Sequence, residues 1–350
     1  MTGRDPARAA RLLEGLAAEK LSVTAHAIAH EPTTDDIVAA TARARDAGCD
    51  IVIGFGGGSV LDAAKAVSAL LTNPGDPLDY LEIVGRAQPL AHAAAPCIAI
   101  PTTAGTGAEV TRNAVLASRA HRVKVSLRSP LMLPRLAIVD PDLTMDLPPA
   151  LTASTGLDAL TQLIEPYVSC RAQPLTDALC AEGLRRAGTA LRRAFHDGRD
   201  AAARLDMAFA SLCGGLALAN AGLGAVHGFA GPIGGAFDAP HGAVCAALLP
   251  QVMEVNFRAA NERAPAGDVL QRYASVARFL TGSPHASAYN GIRFVRDLVS
   301  ELGIPGLAAC GVTPAHFPAL VDAAGRANSM KANPLPLQPD ELTEILTLSL

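Results

Sequence analysis

The sequence predicts an α/β N-terminal domain, built on a parallel sheet with flanking helices, followed by an all-α C-terminal domain. Up to residue 150, short apolar runs alternate with amphipathic stretches, a pattern typical of parallel strands joined by crossover helices. From residue 151 onward, apolar residues recur with helical spacing and no run resembles a strand. We therefore predict two domains, 1–150 and 151–350.

The predicted elements of the first domain alternate along the chain. A helix over 6–20 precedes a β-like run over 21–28, and a second helix is predicted over 34–47, with Thr33, Thr34 and Asp35 as candidate capping residues. The first residues resemble a strand-to-helix turn without its strand, so the first strand of the domain is predicted to be missing. Further strands are predicted in the segments CDIVIGFGGGS, CIAIPTT and RLAIVDP, with a helix after the first of them.

The composition excludes several classes of protein. Half of the 350 residues are hydrophobic and the formal net charge is −4, so the chain is not expected to be disordered or to bind nucleic acid. No apolar run approaches the roughly 20 residues of a membrane span, and the N-terminus lacks the core of a signal peptide. The seven cysteines form no Cys-x-x-Cys pair and are expected to be buried apolar residues. These features predict a soluble cytoplasmic protein without a membrane partner.

Two polar turns are candidate ligand sites in the first domain. The segment GFGGGS (54–59) ends a strand and opens a helix, whose N-terminal N–H groups suit a phosphate, while glycines allow close approach and positive φ. Its spacing is neither G-x-G-x-x-G nor a P-loop, and a simple tight turn is the alternative. The segment PTTAGTGAE (101–109) follows another strand and is predicted to share the ligand, with a capped loop as the alternative. Asp62 and Lys65 stand three residues apart on the helix that follows. On this spacing alone, they are expected to form a solvent-exposed ion pair.

A metal site is a weaker candidate in the helical domain. Asp158 and Gln162 stand four residues apart, on one face of a helix, and His227 and His241 follow 14 residues apart from each other. Two histidines and an aspartate could hold a divalent metal and leave a position for a substrate oxygen. Each histidine taken singly is more commonly structural.

Five segments resemble, in order and spacing, the iron-dependent (group III) alcohol dehydrogenases. The resemblance implies a nicotinamide-dinucleotide-binding α/β domain and an all-helical metal and substrate domain. It implies hydride transfer between the nicotinamide and a carbonyl or alcohol carbon, with the metal polarising the substrate oxygen. The segments are GFGGGSVLDAAKA, IPTTAGTGAEVT, LAIVDP, TGLDALTQLIEPYVS and GLGAVHGFAGPIGGAFDAPHGAV.

The resemblance assigns roles to the matching residues. It implies that Asp62 lies near the nicotinamide and that Asp62 and His227 are the catalytic residues. The implied cofactor-binding residues are Gly57, Gly58, Ser59, Asp62, Thr102, Thr103, Thr106 and Lys124. The implied metal ligands are Asp158, Gln162, His227 and His241.

Two positions depart from the family pattern. The second metal position normally carries histidine, and here Gln162 offers a neutral amide oxygen, which is a weaker ligand. The family histidine four residues after His227, which is given a part in proton handling, is Gly231 here. We expect an active enzyme with a solvent proton path, and a slow, metal-free or repurposed site is the alternative.

The N-terminal residues bear on the choice of dinucleotide. In the family, an acidic residue at the end of the first strand binds the adenosine ribose and disfavours a 2′-phosphate. The matching residue here is Gly3, followed by Arg4, so NADP is expected to be tolerated beside NAD. The resemblance also implies a homodimer.

The sequence alone does not identify the substrate or the metal. The leading hypothesis is an NAD(P)-dependent, metal-assisted alcohol dehydrogenase or aldehyde reductase with Fe²⁺ or Zn²⁺. A maleylacetate reductase-like enzyme and a catalytically silent nucleotide-binding descendant are the alternatives, and a dehydroquinate synthase-like lyase is disfavoured because few basic residues lie near the metal motifs. Val168, Phe229 and Phe237 are candidates for an apolar substrate pocket, although core packing is the more common role of each.

Overall fold

The computed structural model describes residues 1–121 and 123–350, which form two compact units. The first unit comprises Met1–Thr103 and Ala108–Leu143, and the second comprises Ala104–Gly107 and Thr144–Leu350. The predicted fold class is confirmed, because the first unit holds a parallel sheet with helices and the described part of the second contains helices and no strand. The predicted boundary at residue 150 stays a prediction, since the units separate after Leu143.

The described helices and strands have the following bounds. The strands are β1 (Val52–Gly56), β2 (Cys97–Pro101), β3 (Asn113–Ser118), β4 (Val123–Arg128) and β5 (Leu136–Ala137). The helices of the first unit are α1 (Ala10–Ala18), α2 (Thr34–Asp46), α3 (Gly58–Thr72) and α4 (Pro77–Tyr80). Those of the second are α5 (Pro149–Val168), α6 (Pro174–His196), α7 (Ala201–Ala221), α8 (Ala225–Phe237), α9 (His241–Arg263), α10 (Val269–Thr281), α11 (Ala288–Glu301), α12 (Phe317–Arg326) and α13 (Pro339–Leu348).

The parallel sheet places two turns next to each other. β1 pairs with β2 along its whole length, with Gly56 opposite Pro101 at the end, and β5 pairs on the other side of β2. Because the carboxyl ends of parallel strands meet at one edge of a sheet, the turns after β1 and β2 lie side by side. The two predicted ligand turns follow these two strands.

The first residues of the chain lie in this sheet. Thr2 forms parallel bridges with both Ala27 and Phe55, and the Met1 ammonium donates to the Ile53 carbonyl at 2.7 Å. The strand predicted over 21–28 is wrong in extent, because only the bridge at Ala27 forms. The strand predicted in RLAIVDP is likewise reduced to the two residues of β5.

Local sequence explains where α2 begins. The Thr33 hydroxyl accepts the N–H of Asp36 at 3.2 Å, and the Asp36 carboxylate accepts the N–H of Thr33 at 2.8 Å. This reciprocal capping box satisfies two N–H groups that have no partner inside the helix. The predicted N-cap is confirmed.

An antiparallel hairpin in the first unit was not predicted. β3 and β4 pair from Asn113 opposite Arg128 to Ser118 opposite Val123, and β3 packs against α3. Buried and more exposed residues alternate along β3, the period-two pattern of a strand with one covered face. The hairpin places the predicted cofactor residue Lys124 on a strand.

Helix α5 lies in the core of the second unit and packs against α6, α7 and α9. Its residues Leu157, Leu160 and Leu163 are fully buried in this core. Val168 and Phe229 belong to the same core, so packing accounts for both of these pocket candidates. Phe237 packs against the core and has an edge contact with the His316 ring.

One described helix, α7, is long and apolar enough to cross a membrane, which was not expected from the sequence. Of its most apolar 18-residue stretch, 56% is buried inside the protein. The helix packs against α5 and α6, as a core helix does.

A substitution at Gly188 tests whether α6 and α10 of the second unit must approach each other closely. A Cβ there would lie 2.5 Å from the backbone carbonyl oxygen of Leu280 in α10. Since backbone cannot rotate away, we expect Gly188→Ala to lower the free energy of unfolding by about 1–3 kcal/mol in urea titrations. The control is Gly325→Ala in α12, where nothing lies within 4 Å of the new Cβ and helix propensity should add up to about 1 kcal/mol. Equal effects of the two substitutions would contradict the close contact.

Candidate functional site

Four side chains of the second unit bring one metal-ligand atom each to a common point. Asp158 comes from α5, His227 from α8, and His241 and Cys245 from α9. The four atoms all lie within 4.8 Å of one another. Three of these residues were predicted as ligands from the sequence, and Cys245 was not.

The distances are those of groups that face one another across a small gap. Nε2 of His227 lies 3.4 Å from Oδ1 of Asp158, and Nε2 of His241 lies 3.8 Å from the same oxygen. Sγ of Cys245 lies 3.6 Å from Nε2 of His241 and 3.9 Å from Nε2 of His227. Both histidines therefore direct Nε2 toward the Asp158 carboxylate and the Cys245 sulfur.

Two buried oxygens at this cluster have no hydrogen-bond partner among the described residues, Oδ1 of Asp158 and Oε1 of Gln162. The Asp158 side chain is 2% exposed and Gln162 is 3% exposed. An unpaired buried acceptor costs about 1–3 kcal/mol, and a bound cation would remove that cost. Unpaired oxygens beside two imidazoles and a thiol form a donor set that fits a divalent metal.

Gln162 lies one helical turn after Asp158 on α5, as its spacing predicts. Its Oε1 is buried and has no hydrogen-bond partner among the described residues.

The ionisation of the cluster reflects its negative potential. Burial raises the pKa of Asp158, but its interactions with the neighbouring His227 and His241 outweigh this effect and hold that pKa below its ordinary value. The neighbouring Cys245 sulfur, against the effect of burial, raises the pKa of His241 to about 9. Burial also opposes the charged form of His227, yet Cys245 and Glu165 raise its pKa well above the ordinary value. An environment that stabilises two imidazolium ions also attracts a metal cation.

The cluster is accessible from one side. The His241 side chain is 41% exposed, whereas those of His227 and Asp158 are 6% and 2% exposed. A small molecule can therefore reach the cluster past His241 while the other two groups stay covered.

Glu165 of α5 fixes the orientation of His227. Its Oε2 lies 2.6 Å from Nδ1 of His227, and its Oε1 accepts the N–H of Val226 at 2.7 Å. With Nδ1 donating to a carboxylate, Nε2 is left as the free nitrogen that points to Asp158 and Cys245. A carboxylate behind a histidine is the arrangement that orients metal-binding imidazoles in proteins.

Asn333 secures the same turn of α8 from another direction. Its Oδ1 accepts the N–H of Ala225 at 3.0 Å, and its amide N–H donates to Oδ1 of Asn256 at 2.8 Å. Asn333 and Glu165 together satisfy N–H groups at the beginning of α8, which no intrahelical acceptor can reach.

Glycines at the start of both histidine-bearing helices permit close approach to their neighbours. A Cβ on Gly242, next to His241, would lie 2.6 Å from the Ser154 carbonyl oxygen of α5. A Cβ on Gly224, directly before α8, would lie 2.9 Å from Oε1 of Glu165. Larger residues at these positions would push the histidines away from α5.

Gly231 leaves space where the family carries a side chain. It lies four residues after His227 on α8 and therefore on the same face. A Cβ there would meet no heavy atom within 4 Å. The space next to His227 is large enough for a side chain and can hold water or substrate.

The predicted phosphate turn of the first unit is an uncapped helix N-terminus. α3 begins at Gly58, after Gly57, and no side chain caps it. The N–H groups of Gly58 and Ser59 have no acceptor within the helix and carry the partial positive charge of its end. The expected positive φ is wrong, because Gly57 has a φ of −73° and none of the turn's other glycines is in the left-handed region. Because glycine has no side chain, position 57 instead leaves space beside the N-terminus of α3.

The hydroxyl segment lies beside this turn. Thr102 donates its N–H to the Gly56 carbonyl at 3.0 Å, and a Cβ on Gly57 would lie 3.3 Å from the Thr103 side chain. Thr106 falls in Ala104–Gly107, which belongs to the second unit.

Asp62 and Lys65 form a buried ion pair rather than a solvated one. Their charged atoms are 2.9 Å apart, the Lys65 side chain is fully buried, and its Nζ also donates to Thr111 at 2.9 Å. The second oxygen of Asp62 accepts the N–H of Val115 at 2.9 Å and so joins α3 to β3. Asp62 thus holds the first unit together, and its catalytic role stays a prediction.

The remaining predicted cofactor residues lie near the surface of the first unit. Lys124 on β4 forms an ion pair with Glu31. Arg4 donates to the Ala29 carbonyl at 3.4 Å and is exposed. A Cβ on Gly3 would have only Val60 near it, at 4.0 Å, so this position has room for a side chain.

Cys245 and Glu165 were missed by sequence reasoning for different reasons. All seven cysteines are free, and four of them are buried as expected, whereas Cys170 is exposed, contrary to expectation. Cys245 was counted among the buried apolar cysteines, although its spacing of four from His241 places both on one helix face. Glu165 stands seven residues after Asp158, again on one face, and this periodicity was the available signal.

Comparisons with known proteins match this architecture over both units. The family described as iron-containing alcohol dehydrogenase matches residues 2–141, and the C-terminal part of the Fe-containing alcohol dehydrogenase family matches residues 152–350. The probable alcohol dehydrogenase EutG of Escherichia coli (strain K12) is 40% identical over 305 residues, which are 87% of this chain and 74% of that protein.

Two solved structures share the fold. The crystal structure of 1,3-propanediol oxidoreductase has a TM-score of 0.89 and 32% identity, covering 100% of this chain and 92% of that one. The structure of sulfoacetaldehyde reductase from Bifidobacterium kashiwanohense in complex with NAD⁺ has a TM-score of 0.86 and 27% identity, covering 99% and 89%.

Glu165→Gln tests the carboxylate behind His227. The substitution keeps the size of the side chain but removes the charge and one acceptor, so His227 should lose its fixed orientation. We expect metal affinity, measured by competition with a chelator, to fall about 10–100-fold. Glu182→Gln, which alters a partly exposed carboxylate of α6 paired with Arg186, is the control and should leave the affinity unchanged. Equal affinities of the two variants would argue against the orienting role.

Proposed function

The chain belongs to the iron-containing alcohol dehydrogenase family, and we propose that it is an NAD(P)-dependent, metal-assisted alcohol dehydrogenase or aldehyde reductase for a small alcohol or carbonyl substrate. As a member of that family it is an oxidoreductase that acts on CH–OH groups. The observation that carries the proposal is the cluster of ligand atoms from Asp158, His227, His241 and Cys245, with its unpaired buried oxygens.

The helical unit would hold the metal. When bound, a divalent metal supplies Lewis acidity toward the substrate oxygen, and a nicotinamide dinucleotide supplies or accepts the hydride. Asp158, His227 and His241 would be ligands, with His227 oriented by Glu165. The exposure of His241 supports an approach of the substrate from that side.

The first unit would bind the dinucleotide. The N–H groups of Gly58 and Ser59 would bind its pyrophosphate, with Gly57 leaving room for the anion. Thr102 and Thr103, which lie beside this turn, would contact the nucleotide, and the resemblance adds Asp62, Thr106 and Lys124. The NAD⁺ bound in the related sulfoacetaldehyde reductase supports this assignment.

Alcohol oxidation also releases the hydroxyl proton. Because Gly231 stands where the family has a histidine, we assign the proton's path to water in the open space beside His227. The enzyme would then transfer the proton directly between substrate and solvent.

A catalytically silent nucleotide-binding protein is the second candidate. Gln162 and Gly231 favour it, because each replaces a histidine of the family pattern. Either protein would bind the dinucleotide, so nucleotide binding alone does not separate them.

Metal content and turnover separate the two candidates. Protein purified without oxygen, incubated with Fe²⁺ or Zn²⁺ and desalted, is expected to keep about one metal per chain and to oxidise NADH or NADPH with small aldehydes. His241→Ala should lose the metal and still bind NADPH. Binding of NADPH without retained metal and without turnover of any aldehyde would overturn the enzyme proposal and support the silent descendant.

Gly3→Asp tests the choice of dinucleotide. A carboxylate at this position would repel a 2′-phosphate, so we expect the ratio of NADPH to NADH affinity to fall about tenfold or more. Gly15→Asp introduces the same charge at an exposed site of α1 with nothing within 4 Å and should leave the ratio unchanged. An unchanged ratio in Gly3→Asp would place the ribose elsewhere.

We also propose a cytoplasmic location and a homodimer. The seven free cysteines support a reducing compartment, and the family resemblance supports pairing of two subunits.

A further inference from the structure

We propose that Cys245, as a thiolate, is the fourth protein ligand of the metal centre, in the place that the resemblance gives to Gln162. This inference rests on the proposed function only in requiring that the centre binds a divalent metal. It changes the ligand set from the one implied by resemblance, in which Gln162 fills the fourth position.

Four of the six distances between the ligand atoms are close to those of a tetrahedral site, and all six are within 4.8 Å. With bonds of about 2.0–2.1 Å to nitrogen or oxygen and about 2.3 Å to sulfur, N and O ligands lie about 3.4 Å apart, and S and N about 3.6 Å apart. The His227–Asp158 distance is 3.4 Å and the Cys245–His241 distance is 3.6 Å. The His241–Asp158 distance of 3.8 Å and the Cys245–His227 distance of 3.9 Å exceed these values by about 0.3–0.4 Å, or about the movement of a side chain within its rotamer.

The helix that carries His241 also positions Cys245. The two residues are one turn apart on α9 and share a face, so both can reach a single ion. Cys245 is fully buried, and its sulfur lies within 4 Å of the ring nitrogens of both ligand histidines. Its sulfur therefore faces the centre.

Charge favours Cys245 over Gln162 as the fourth ligand. Asp158 and a Cys245 thiolate together neutralise a divalent cation, whereas Asp158 with the neutral Gln162 amide would leave one positive charge uncompensated in a buried site. Loss of the family's imidazole at position 162 is thus offset by a thiolate from another helix.

A thiolate ligand alters metal preference. Soft sulfur favours Zn²⁺ over Mn²⁺, which prefers oxygen. We expect Cys245→Ser to lower Zn²⁺ affinity about 100-fold while changing Mn²⁺ affinity much less. Gln162→Ala should change either affinity by less than about tenfold.

Absorption of the Co²⁺-loaded full-length protein tests the ligand directly. A thiolate bound to Co²⁺ produces an intense near-ultraviolet charge-transfer band, which we expect in the unaltered protein and in Gln162→Ala. The band should disappear in Cys245→Ser. Cys180→Ser, which changes an equally buried thiol on α6, is the matched control and should keep the band.

The outcomes distinguish this inference from the proposed function. One Co²⁺ per chain without the band in the unaltered protein would overturn Cys245 ligation and leave the metal-assisted enzyme intact. A band that survives Cys245→Ser would also overturn it. Failure of the unaltered protein to retain any metal, with NADPH still bound, would overturn both proposals.

Discussion

The buried carboxylate of Glu165 is the contact on which the geometry of the metal centre depends. It connects α5 to the beginning of α8 by accepting the N–H of Val226 and binding Nδ1 of His227. The N-terminus of a helix is partially positive, so the same buried carboxylate has two compensating partners, the N–H of Val226 and the His227 ring. Without it, the N–H of Val226 would lose its acceptor and the His227 ring could rotate its free nitrogen away from Asp158.

Much of the fold could be predicted because local signals agreed with tertiary structure. Thr33 caps α2, and the apolar runs before the two polar turns form β1 and β2. Prediction failed where the formation of a strand depends on its pairing with another segment. The run over 21–28 has strand composition but makes one bridge, to Thr2, while the hairpin of β3 and β4 is formed by cross-strand pairing that neither strand shows alone.

Only part of the candidate site could be predicted from local sequence patterns. Helical spacing placed Asp158 and Gln162 on one face, but no local pattern relates them to His227 or His241, and only the family resemblance supplied that relation. Cys245 lay outside the family's ligand pattern, so resemblance could not find it. Cys245 lies beside the predicted ligands because α8 and α9 converge on α5.

The glycines at the start of α8 and α9 have a consequence for how such a centre can evolve. The close contacts of Gly242 with the backbone of α5 and of Gly224 with the Glu165 side chain, rather than the ligands themselves, set how near each histidine comes to α5. The size of the cavity is thus independent of which donor atoms line it. A ligand can be exchanged for one of different chemistry, from a different helix, without rebuilding the scaffold, so descendants of one ancestor can diverge in metal preference while their backbones remain superimposable.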